Sequence, residues 1–424
     1  MIARRLTGVG TLLHQAIEAR NQGEKAACSV LPILRSDRRK LDEKTFPSHK
    51  LTIGQAFESE ALPCIGGRFR SRSDGPLMIL SGDALSPDAL AAELELLAER
   101  IDVPDLEDAL RFPRFFQIET TRLCNATCPF CAIDKWDKSV PMMSDALWER
   151  IAAELIQWRE WIRFVDVQRA GEPLLDKKIY QRVRQLKDGG IKHVALATNA
   201  SGLTERNARA LLEAGIDEVM MSIDSVVKEK YEQLRVGLNY EQVMRNIQNY
   251  FRLRDEIRPQ SQIRVRAVCV FDPVEGQSEL LEWENFWRPL KKPHDRIYMK
   301  RVHSWGNQVD VEGAPSPDAE VLHPCIIPWS TMHITAMGRI ALCPHDYDAL
   351  ADLGDVNKHS IQQVWRAAKL QEIRRLHATG NRNEIGFCRG CRTFDEAFSL
   401  ERDKENWRTK RRGDKHDTSA SATV

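Results

Sequence analysis

Six short runs of β-forming residues alternate with helical stripes between residues 113 and 305, and this alternation limits the fold more than any other feature. Strand–helix units in series predict parallel strands joined by right-handed crossovers. Such a sheet either stays open or curls into a barrel, and both arrangements gather functional groups at the carboxyl ends of the strands. The fold class is therefore predicted to be α/β. The predicted strands are Phe115 to Thr120, Arg163 to Val167, Lys192 to Thr198, Glu218 to Asp224, Ile263 to Phe271 and Arg296 to Val302.

Capping residues mark the ends of the intervening helices. Ser144 and Asn239 stand directly before apolar stripes as N-cap residues, and Gln242 is the capping-box partner expected for Asn239. Gly189-Gly190 and Gly215 stand where two of the helices are expected to end. These signals support the predicted order of strands and helices.

Three cysteines, Cys124, Cys128 and Cys131, directly follow the first predicted strand. Three thiolates in so short a run are able to hold three irons of a [4Fe–4S] cluster, which leaves the fourth iron without a protein ligand. A metal site with a vacant position binds a substrate or cosubstrate there. Half of a zinc site, or three buried thiols, is the alternative, although zinc sites usually use a Cys-x2–4-Cys pair completed by a distant pair.

The run Cys-Asn-Ala-Thr-Cys-Pro-Phe-Cys resembles the signature of the radical S-adenosylmethionine (radical SAM) enzymes. The resemblance implies a partial (β/α)6 barrel that holds its cluster just after the first strand, where the three cysteines lie. It also implies that S-adenosylmethionine chelates the open iron and is cleaved by an electron to a 5′-deoxyadenosyl radical.

Further segments resemble the parts of that family that bind the cosubstrate. Ala170-Gly171-Glu172-Pro173 resembles a Gly-Gly-Glu-Pro segment that hydrogen-bonds the methionyl amino group, with alanine in place of the first glycine. Polar residues that close the third and fourth strands would lie at the barrel mouth, and one arginine and one aromatic residue match further family positions. The resemblance thus assigns cosubstrate binding to Phe130, Gly171, Glu172, Asn199, Ser222, Asp224 and Arg235.

A second group of cysteines, Cys325, Cys343, Cys388 and Cys391, lies nearer the carboxyl terminus. Four thiolates are the number needed to ligate every iron of a second [4Fe–4S] cluster. Zinc held by four cysteines is the alternative. The group resembles the twitch domain, the shortened form of the SPASM extension, which carries one auxiliary cluster. The resemblance therefore implies two clusters in this chain.

The sequence divides into four parts. Residues 1–112 are an extension of unknown role, in which Ser86 is expected to cap a helix that ends near Ile101. Residues 113–305 are the predicted radical SAM barrel, and residues 306–401 are the predicted auxiliary-cluster domain. Residues 402–424 are polar and are expected to be disordered.

The composition argues against several classes of protein. The net charge is +1, from 62 basic and 61 acidic side chains, so no overall attraction to nucleic acid or an anionic membrane is expected. Neither a signal peptide nor a run of about 18 apolar residues occurs, and we expect a cytoplasmic protein. Seven of the ten cysteines form two groups with metal-like spacing, which favours metal or redox chemistry over disulfides.

Two clusters in one chain favour an oxidoreductase. If a substrate radical loses an electron and a proton after hydrogen abstraction, the net result is a two-electron oxidation, and an auxiliary cluster is a sink for that electron. The protein must also supply a base. Candidates near the exit of the sixth strand or near Cys343 are His303, Asp310, His333, His345 and Asp346.

Cys269 lies in the fifth predicted strand and has two possible roles. Strict alternation puts its thiol on the face opposite Arg264 and Arg266, where it would be ordinary core packing. A bulge would reverse the face, and an inward thiol would be able to return a hydrogen atom to a substrate radical. The outcome would then be epimerisation without net oxidation.

The leading hypothesis is a radical SAM dehydrogenase or epimerase that acts on a small polar metabolite, a sugar or an aminocyclitol. The substrate class follows from the resemblance to twitch enzymes alone. A peptide-modifying enzyme and a non-catalytic zinc-bound binding protein are the two alternatives. The family implies a flavodoxin or ferredoxin as reductant, and the sequence leaves the oligomeric state open.

Overall fold

The computed structural model describes residues 86–269, 277–312, 314, 316–318 and 321–393. Within these ranges one sheet contains the strands β1 Phe115–Ile118, β2 Phe164–Asp166, β3 Val194–Thr198, β4 Glu218–Ser222, β5 Gln262–Cys269, β6 Arg296–Arg301, β7 Thr331–Ile334 and β8 Ile340–Ala341. The helices are α1 Pro87–Ile101, α2 Asp145–Gln157, α3 Ile179–Asp188, α4 Glu205–Glu213, α5 Lys228–Leu234, α6 Tyr240–Ile257, α7 Gln277–Trp287, α8 Ile327–Ser330, α9 Ile361–Trp365 and α10 Ala368–Ala378.

The first six strands lie side by side in chain order and all their pairings are parallel. This is the arrangement that serial strand–helix units dictate, and the predicted α/β fold class is confirmed. On the other edge, β7 pairs parallel with β1, and β8 pairs antiparallel with β7. The C-terminal segment therefore extends the barrel sheet at the strand that precedes the cysteine trio, Cys124, Cys128 and Cys131.

The face of the sheet that the helices cover is apolar, whereas the face toward the cavity carries charged side chains such as Arg266 of β5 and Lys300 of β6. Every residue of β3 is buried. The helices pack their apolar stripes against these strands, and the largest core cluster continues from the barrel into the C-terminal segment through Met332, Ile334 and Trp365. The barrel and the described C-terminal residues consequently share one hydrophobic core.

All three predicted N-caps, Ser86, Ser144 and Asn239, form as expected, whereas the capping-box partner does not. The side chains of Ser144 and Asn239 accept hydrogen bonds from Leu147 N and Gln242 N at 3.2 and 2.9 Å. The Gln242 side chain instead donates to the Ser201 carbonyl at 3.4 Å. The preceding loop offers this acceptor next to the helix, and a local sequence pattern does not reveal it.

Helix α1 joins the barrel to the C-terminal segment. Its buried Leu94, Leu97 and Ile101 pack in a cluster with Trp329 of α8. Further along, the Trp365 indole donates to the Ala109 carbonyl at 2.9 Å. Residues 86–112 therefore buttress both parts, whereas residues 1–85 and the predicted tail at 402–424 lie outside the described residues. No helix among those described has the length and apolarity needed to cross a membrane.

A buried ion pair fixes α6 to the starts of β5 and β6. Both nitrogens Nη1 and Nη2 of Arg254 contact the carboxylate of Asp295, at 2.8 and 2.9 Å. Asp295 Oδ1 also accepts a hydrogen bond from Ile263 N at 2.8 Å. Both side chains are almost completely buried, so loss of one partner would strand a charge.

We expect Asp295→Ala to lower the free energy of unfolding by about 3 kcal/mol, because the buried Arg254 guanidinium would keep only the half-exposed Asp255 as a counter-ion. The measurement is the urea midpoint followed by circular dichroism. Glu256→Ala is the matched control, since it removes the partner of the half-exposed Arg252 on the same helix. The urea midpoint of Glu256→Ala should barely change. Equal losses of stability in Asp295→Ala and Glu256→Ala would contradict the importance of the buried Arg254–Asp295 pair.

Candidate active site

A cavity of about 280 Å³ opens at the carboxyl ends of the barrel strands. Its wall includes side chains of β1, β3, β4, β5 and β6, in agreement with the end of a parallel sheet at which functional groups gather. The wall also includes Pro344, His345 and Thr393 of the C-terminal segment. One cavity therefore borders both parts of the chain.

The cysteine trio forms part of this wall. The loop that carries it is held by a backbone hydrogen bond from Cys131 N to Cys128 O at 3.0 Å and by one from Thr127 N to Val236 O at 2.9 Å. Burial, with some contribution from the neighbouring thiols, raises the pKa of Cys131 to about 12. Burial also raises the pKa values of Cys124 and Cys128.

Gly171 lies directly against the backbone that leads into the cysteine loop. Its φ is +71°, and a Cβ added there would lie 2.6 Å from the carbonyl oxygens of Leu123 and Thr121. The next residue, Glu172, donates its backbone N–H to Leu123 O at 2.7 Å. The segment therefore fits only without a side chain at position 171.

Glu172 and Asn199 form a buried network behind the loop. The Glu172 carboxylate accepts hydrogen bonds from Thr198 Oγ1 at 2.6 Å and from Asn199 N at 2.8 Å. The Asn199 amide donates to the Asn125 side chain, which lies within the cysteine loop, at 2.9 Å. Burial raises the pKa of Glu172, against the opposing effect of these hydrogen bonds.

Arg235 connects two other residues expected to bind the cosubstrate, Asp224 and Phe130, with Cys128 of the trio. Its Nη2 contacts Asp224 Oδ1 at 3.1 Å, its Nη1 donates to Cys128 Sγ at 3.6 Å, and its guanidinium lies 5.4 Å from the centre of the Phe130 ring. Burial alone would lower the pKa of Arg235, but Asp224 and Cys128 raise it above its usual value. Asp224 also accepts from Val268 N at 2.8 Å, so its carboxylate is held in place.

The donor set fits an iron–sulfur cluster. Three thiols line one cavity, and a positively charged guanidinium lies against one of them, as expected for a group that carries negative charge when deprotonated. Within the described part of the chain, no three His, Cys, Asp or Glu side chains are close enough to share a single metal ion. The thiolates of a cubane bind separate irons and do not need to meet at one point.

The four cysteines of the second group are also brought together. The thiols of Cys388 and Cys391 lie close enough to Cys343 for their charge to raise its pKa, together with a larger effect of burial. Burial raises the pKa of Cys388 as well, and Cys325 and Cys391 add to that increase. Residues separated by more than sixty positions in the sequence thus surround one region.

His377 is a residue of this region that the sequence did not indicate. Its Nδ1 accepts a hydrogen bond from Cys325 N at 3.0 Å, so the ring proton is on Nε2, which lies 3.6 Å from Cys388 Sγ. Burial lowers the pKa of His377 to about 3 and keeps the ring neutral. His377 lies on α10, 11 residues before Cys388 in the sequence. This closeness to the Cys-x2-Cys pair was the one sequence feature that could have indicated its role.

Glu119, Arg122 and Arg169 form a buried ion triad that sequence analysis also missed. Glu119 Oε1 contacts Arg122 Nε at 2.8 Å, and Glu119 Oε2 contacts Arg169 Nη1 at 3.0 Å. Both arginines donate to the Tyr347 carbonyl, at 3.0 and 3.1 Å. Arg169 also donates to the Cys343 carbonyl at 3.5 Å, which links the Gly171 segment to the second cysteine group.

The candidate bases lie in different surroundings. The rings of His303 and His345 stack with centroids 3.9 Å apart, and both line the cavity. Burial lowers the pKa of His303 to about 3 and that of His345 well below its usual value. The Asp346 carboxylate accepts hydrogen bonds from Leu342 N and Leu350 N, at 2.9 and 2.7 Å. These hydrogen bonds stabilise the loop that contains Asp346.

Three other candidates lie elsewhere. His333 is buried on β7 with Nδ1 3.1 Å from Gln117 Oε1, and Asp310 is exposed. The β5–β6 pairing continues without a bulge as far as Cys269, which pairs with Arg301. The side chain of Cys269 lies outside the described residues. Arg266 and Val268 of the same strand line the cavity, as alternation predicts for the face opposite Cys269.

Comparison with known proteins defines the class. Residues 118–256 match the radical SAM superfamily model, and residues 325–392 match the model of the SPASM iron–sulfur cluster-binding domain. The chain therefore contains a radical SAM domain followed by a SPASM domain. These two domains imply [4Fe–4S] clusters and S-adenosylmethionine as cofactors.

Individual relatives cover only parts of the chain. A probable GTP 3′,8-cyclase of Methanococcus maripaludis is 30% identical over 136 residues, which are 32% of this chain and 44% of that protein. A GTP 3′,8-cyclase of Rhodococcus opacus is 28% identical over 201 residues, 44% of this chain and 52% of that protein. The chain thus spans about half, or less, of these curated relatives.

Solved structures share the fold. Streptococcus suis SuiB, bound to its precursor peptide SuiA, is 13% identical and covers 67% of this chain and 70% of its own, with a TM-score of 0.50. At this identity the likeness concerns the fold alone.

Gly171→Ala should prevent assembly of the cluster at the cysteine trio. The new Cβ would collide with two carbonyl oxygens of the chain entering the cysteine loop. We expect about four fewer irons per reconstituted chain, and no cleavage of S-adenosylmethionine.

Gly380→Ala is the matched control for backbone strain. Gly380 has nearly the same φ, +72°, but a Cβ there would meet nothing within 4 Å. The Gly380→Ala variant should bind the same amount of iron as the wild type. If both variants lost iron equally, positive φ rather than the close approach at Gly171 would be the cause.

Proposed function

We propose that this enzyme is a radical SAM oxidoreductase that dehydrogenates or epimerises a small polar metabolite, a sugar or an aminocyclitol. One observation carries the proposal: the cavity is bordered by the cysteine trio on one side and by Pro344, His345 and Thr393 on the other. Pro344 follows Cys343 directly, and the Thr393 hydroxyl lies 3.7 Å from Cys391 Sγ. A substrate in this cavity would lie between two cysteine-rich sites.

In this proposal Cys124, Cys128 and Cys131 hold the first cluster, and the second cysteine group holds the auxiliary cluster. When bound, the first cluster and S-adenosylmethionine supply a 5′-deoxyadenosyl radical that abstracts a hydrogen atom from the substrate. Phe130, Gly171, Glu172, Asn199, Ser222, Asp224 and Arg235 position the cosubstrate or the loop beside it. The resemblance to twitch enzymes supports these roles, together with the contacts described above.

The chain's own residues would shield the substrate radical from water. Trp136 and Trp305 line the cavity beside the cysteine loop. The Trp305 indole donates to the Phe130 carbonyl at 2.9 Å, which holds its ring against that loop. Aromatic walls of this kind would limit quenching of the radical by solvent.

His303 or His345 would take the proton released in dehydrogenation. After a hydrogen atom is abstracted from carbon, the substrate would lose a proton from its hydroxyl group and one electron, and a ketone would result. The auxiliary cluster that Cys325, Cys343, Cys388 and Cys391 would hold is able, in its oxidised form, to accept that electron. Because burial lowers the pKa of His303 to about 3, its imidazole is unprotonated at neutral pH but is a weak base, so it would pass that proton on rather than keep it. A flavodoxin or ferredoxin would supply the electron for the first cluster.

Variants of the two cysteine groups separate the two clusters. The wild-type chain should bind about eight irons after anaerobic reconstitution. A Cys388→Ala/Cys391→Ala variant should bind about four, still release 5′-deoxyadenosine and form no oxidised product. Cys124→Ala should release no 5′-deoxyadenosine. Bound zinc without cleavage of S-adenosylmethionine would rule out the enzyme proposal.

Cys269→Ala separates dehydrogenation from epimerisation. A dehydrogenase should keep turning over, whereas an epimerase that uses this thiol should stall after hydrogen abstraction. Because the β5–β6 register shows no bulge, we expect turnover to continue. The measurement is product formed per 5′-deoxyadenosine released. A fall of more than about tenfold in that ratio would reassign the thiol to hydrogen return.

Cyclisation of a nucleotide is a second candidate. It is favoured by the names of the curated relatives and by the basic side chains Arg266 and Lys300 in the cavity wall. Anaerobic incubation with GTP, followed by mass spectrometry of the nucleotide, tests it directly. Formation of a cyclised product with an intact auxiliary site would replace the dehydrogenase proposal.

A further inference from the structure

Arg266 is a charged residue of the cavity wall that the proposed mechanism does not use. It lies on β5, directly opposite Ser222 of β4, and its Nη2 donates to Ser222 Oγ at 3.2 Å. Its Nε is buried and has no hydrogen-bond partner. Among the described residues, no carboxylate oxygen lies within the 4.0 Å that defines an ion pair with this guanidinium.

The other arginines of the barrel interior have acidic partners. Arg264, two positions earlier on the same strand, contacts Glu218 at 2.8 Å. The remaining pairs are Arg122 and Arg169 with Glu119, Arg182 with Asp176, Arg235 with Asp224, and Arg254 with Asp295. An uncompensated charge is costly to bury, and burial accordingly lowers the pKa of Arg266. Among these arginines, Arg266 thus differs in lacking an acidic ion-pair partner within the described residues, and it lines the cavity.

The nearby carboxylate of Asp224 acts on Arg266 but is already paired with Arg235, and the other charges of the cavity wall near Arg266 are positive. Lys300 of β6 lines the same cavity, and the charges of Arg266 and Lys300 both lower the pKa of His303. Glu172 is the one carboxylate in the described wall, and both of its oxygens already accept hydrogen bonds. This part of the cavity therefore favours an anion.

We propose that the substrate carries a carboxylate or phosphate group and that Arg266, with Lys300 alongside, binds it. The inference rests on the proposed function, because it takes this cavity as the substrate site. A planar guanidinium suits the two oxygens of such groups. Within the proposed class, the wall selects an acidic or phosphorylated sugar and disfavours an aminocyclitol whose only charge is positive.

The carboxylate of S-adenosylmethionine is the competing occupant. The guanidinium that lies against the cysteine trio is that of Arg235, at 3.6 Å from Cys128 Sγ. Arg266 instead influences His303, whose ring stacks on His345 near the second cysteine group. Arg266 therefore borders both the cosubstrate residue Ser222 and the His303 side of the cavity, and the Arg266 variants distinguish the two occupants.

Binding to the reconstituted full-length chain, loaded with S-adenosylmethionine and kept anaerobic, tests the proposal. Calorimetric titrations compare glucose with glucuronate, glucose 6-phosphate, GTP and inorganic phosphate. At least one anion should bind tenfold or more tightly than glucose, and added salt should weaken that binding. The carboxylate, sugar-phosphate and nucleotide probes identify the source of the anionic group. If no anion exceeds glucose, the proposal is wrong.

Two variants locate the effect. Arg266→Met should reduce anion affinity by tenfold or more, and Arg266→Lys should restore part of it. Arg264→Met is the matched control, because it removes an arginine from the same face of β5 outside the cavity wall. Its anion affinity should stay within twofold of the wild type. Anion binding unchanged in Arg266→Met, or a loss confined to S-adenosylmethionine affinity, overturns the assignment.

The binding test is independent of turnover. Release of 5′-deoxyadenosine in the same preparations reports on the radical chemistry. Anion binding that depends on Arg266 without any release would support the subsite and contradict the proposed function. Release without such anion binding would contradict the subsite alone.

Discussion

The arrangement of the active site depends on the buried ion triad of Glu119, Arg122 and Arg169. A carboxylate and two guanidinium groups without access to water are tolerated only when their charges and hydrogen bonds are matched. Here Arg122 also contacts the Asp348 carboxylate, and both arginines donate a hydrogen bond to the Tyr347 carbonyl. The need to compensate these buried charges therefore holds three separate chain segments together.

These segments are the ones that carry the proposed chemistry. Arg122 lies two residues before Cys124, and Arg169 lies two residues before Gly171. Their shared acceptor belongs to the loop that follows Cys343. The triad therefore holds the cysteine trio, the Gly171 segment and the second cysteine group in fixed positions around one cavity. A fixed separation between two redox sites is what electron transfer from a substrate between them requires.

Local sequence patterns predicted most of the barrel. Periodicity and capping residues located all six strands to within a few residues, because a strand shows either a continuous apolar run, as in β3, or an alternation of apolar and polar residues, as in β5. Cysteine spacing and the family resemblance indicated both cysteine groups. The partner of Gln242 and the addition of β7 beside β1 were not predicted, since both depend on segments that are close in space and distant in sequence.

By itself, the sequence determined the α/β fold class, the radical SAM signature and the identity of the seven cysteines, because spacing and periodicity are local properties. Only the tertiary structure decided which charges are compensated. It paired Arg235, at the end of α5, with Asp224, and it left Arg266 of β5 lining the cavity without an ion-pair partner among the described residues. The physical reason is that an ion pair forms between groups that are close in space. The periodicity of the sequence does not show which groups those are.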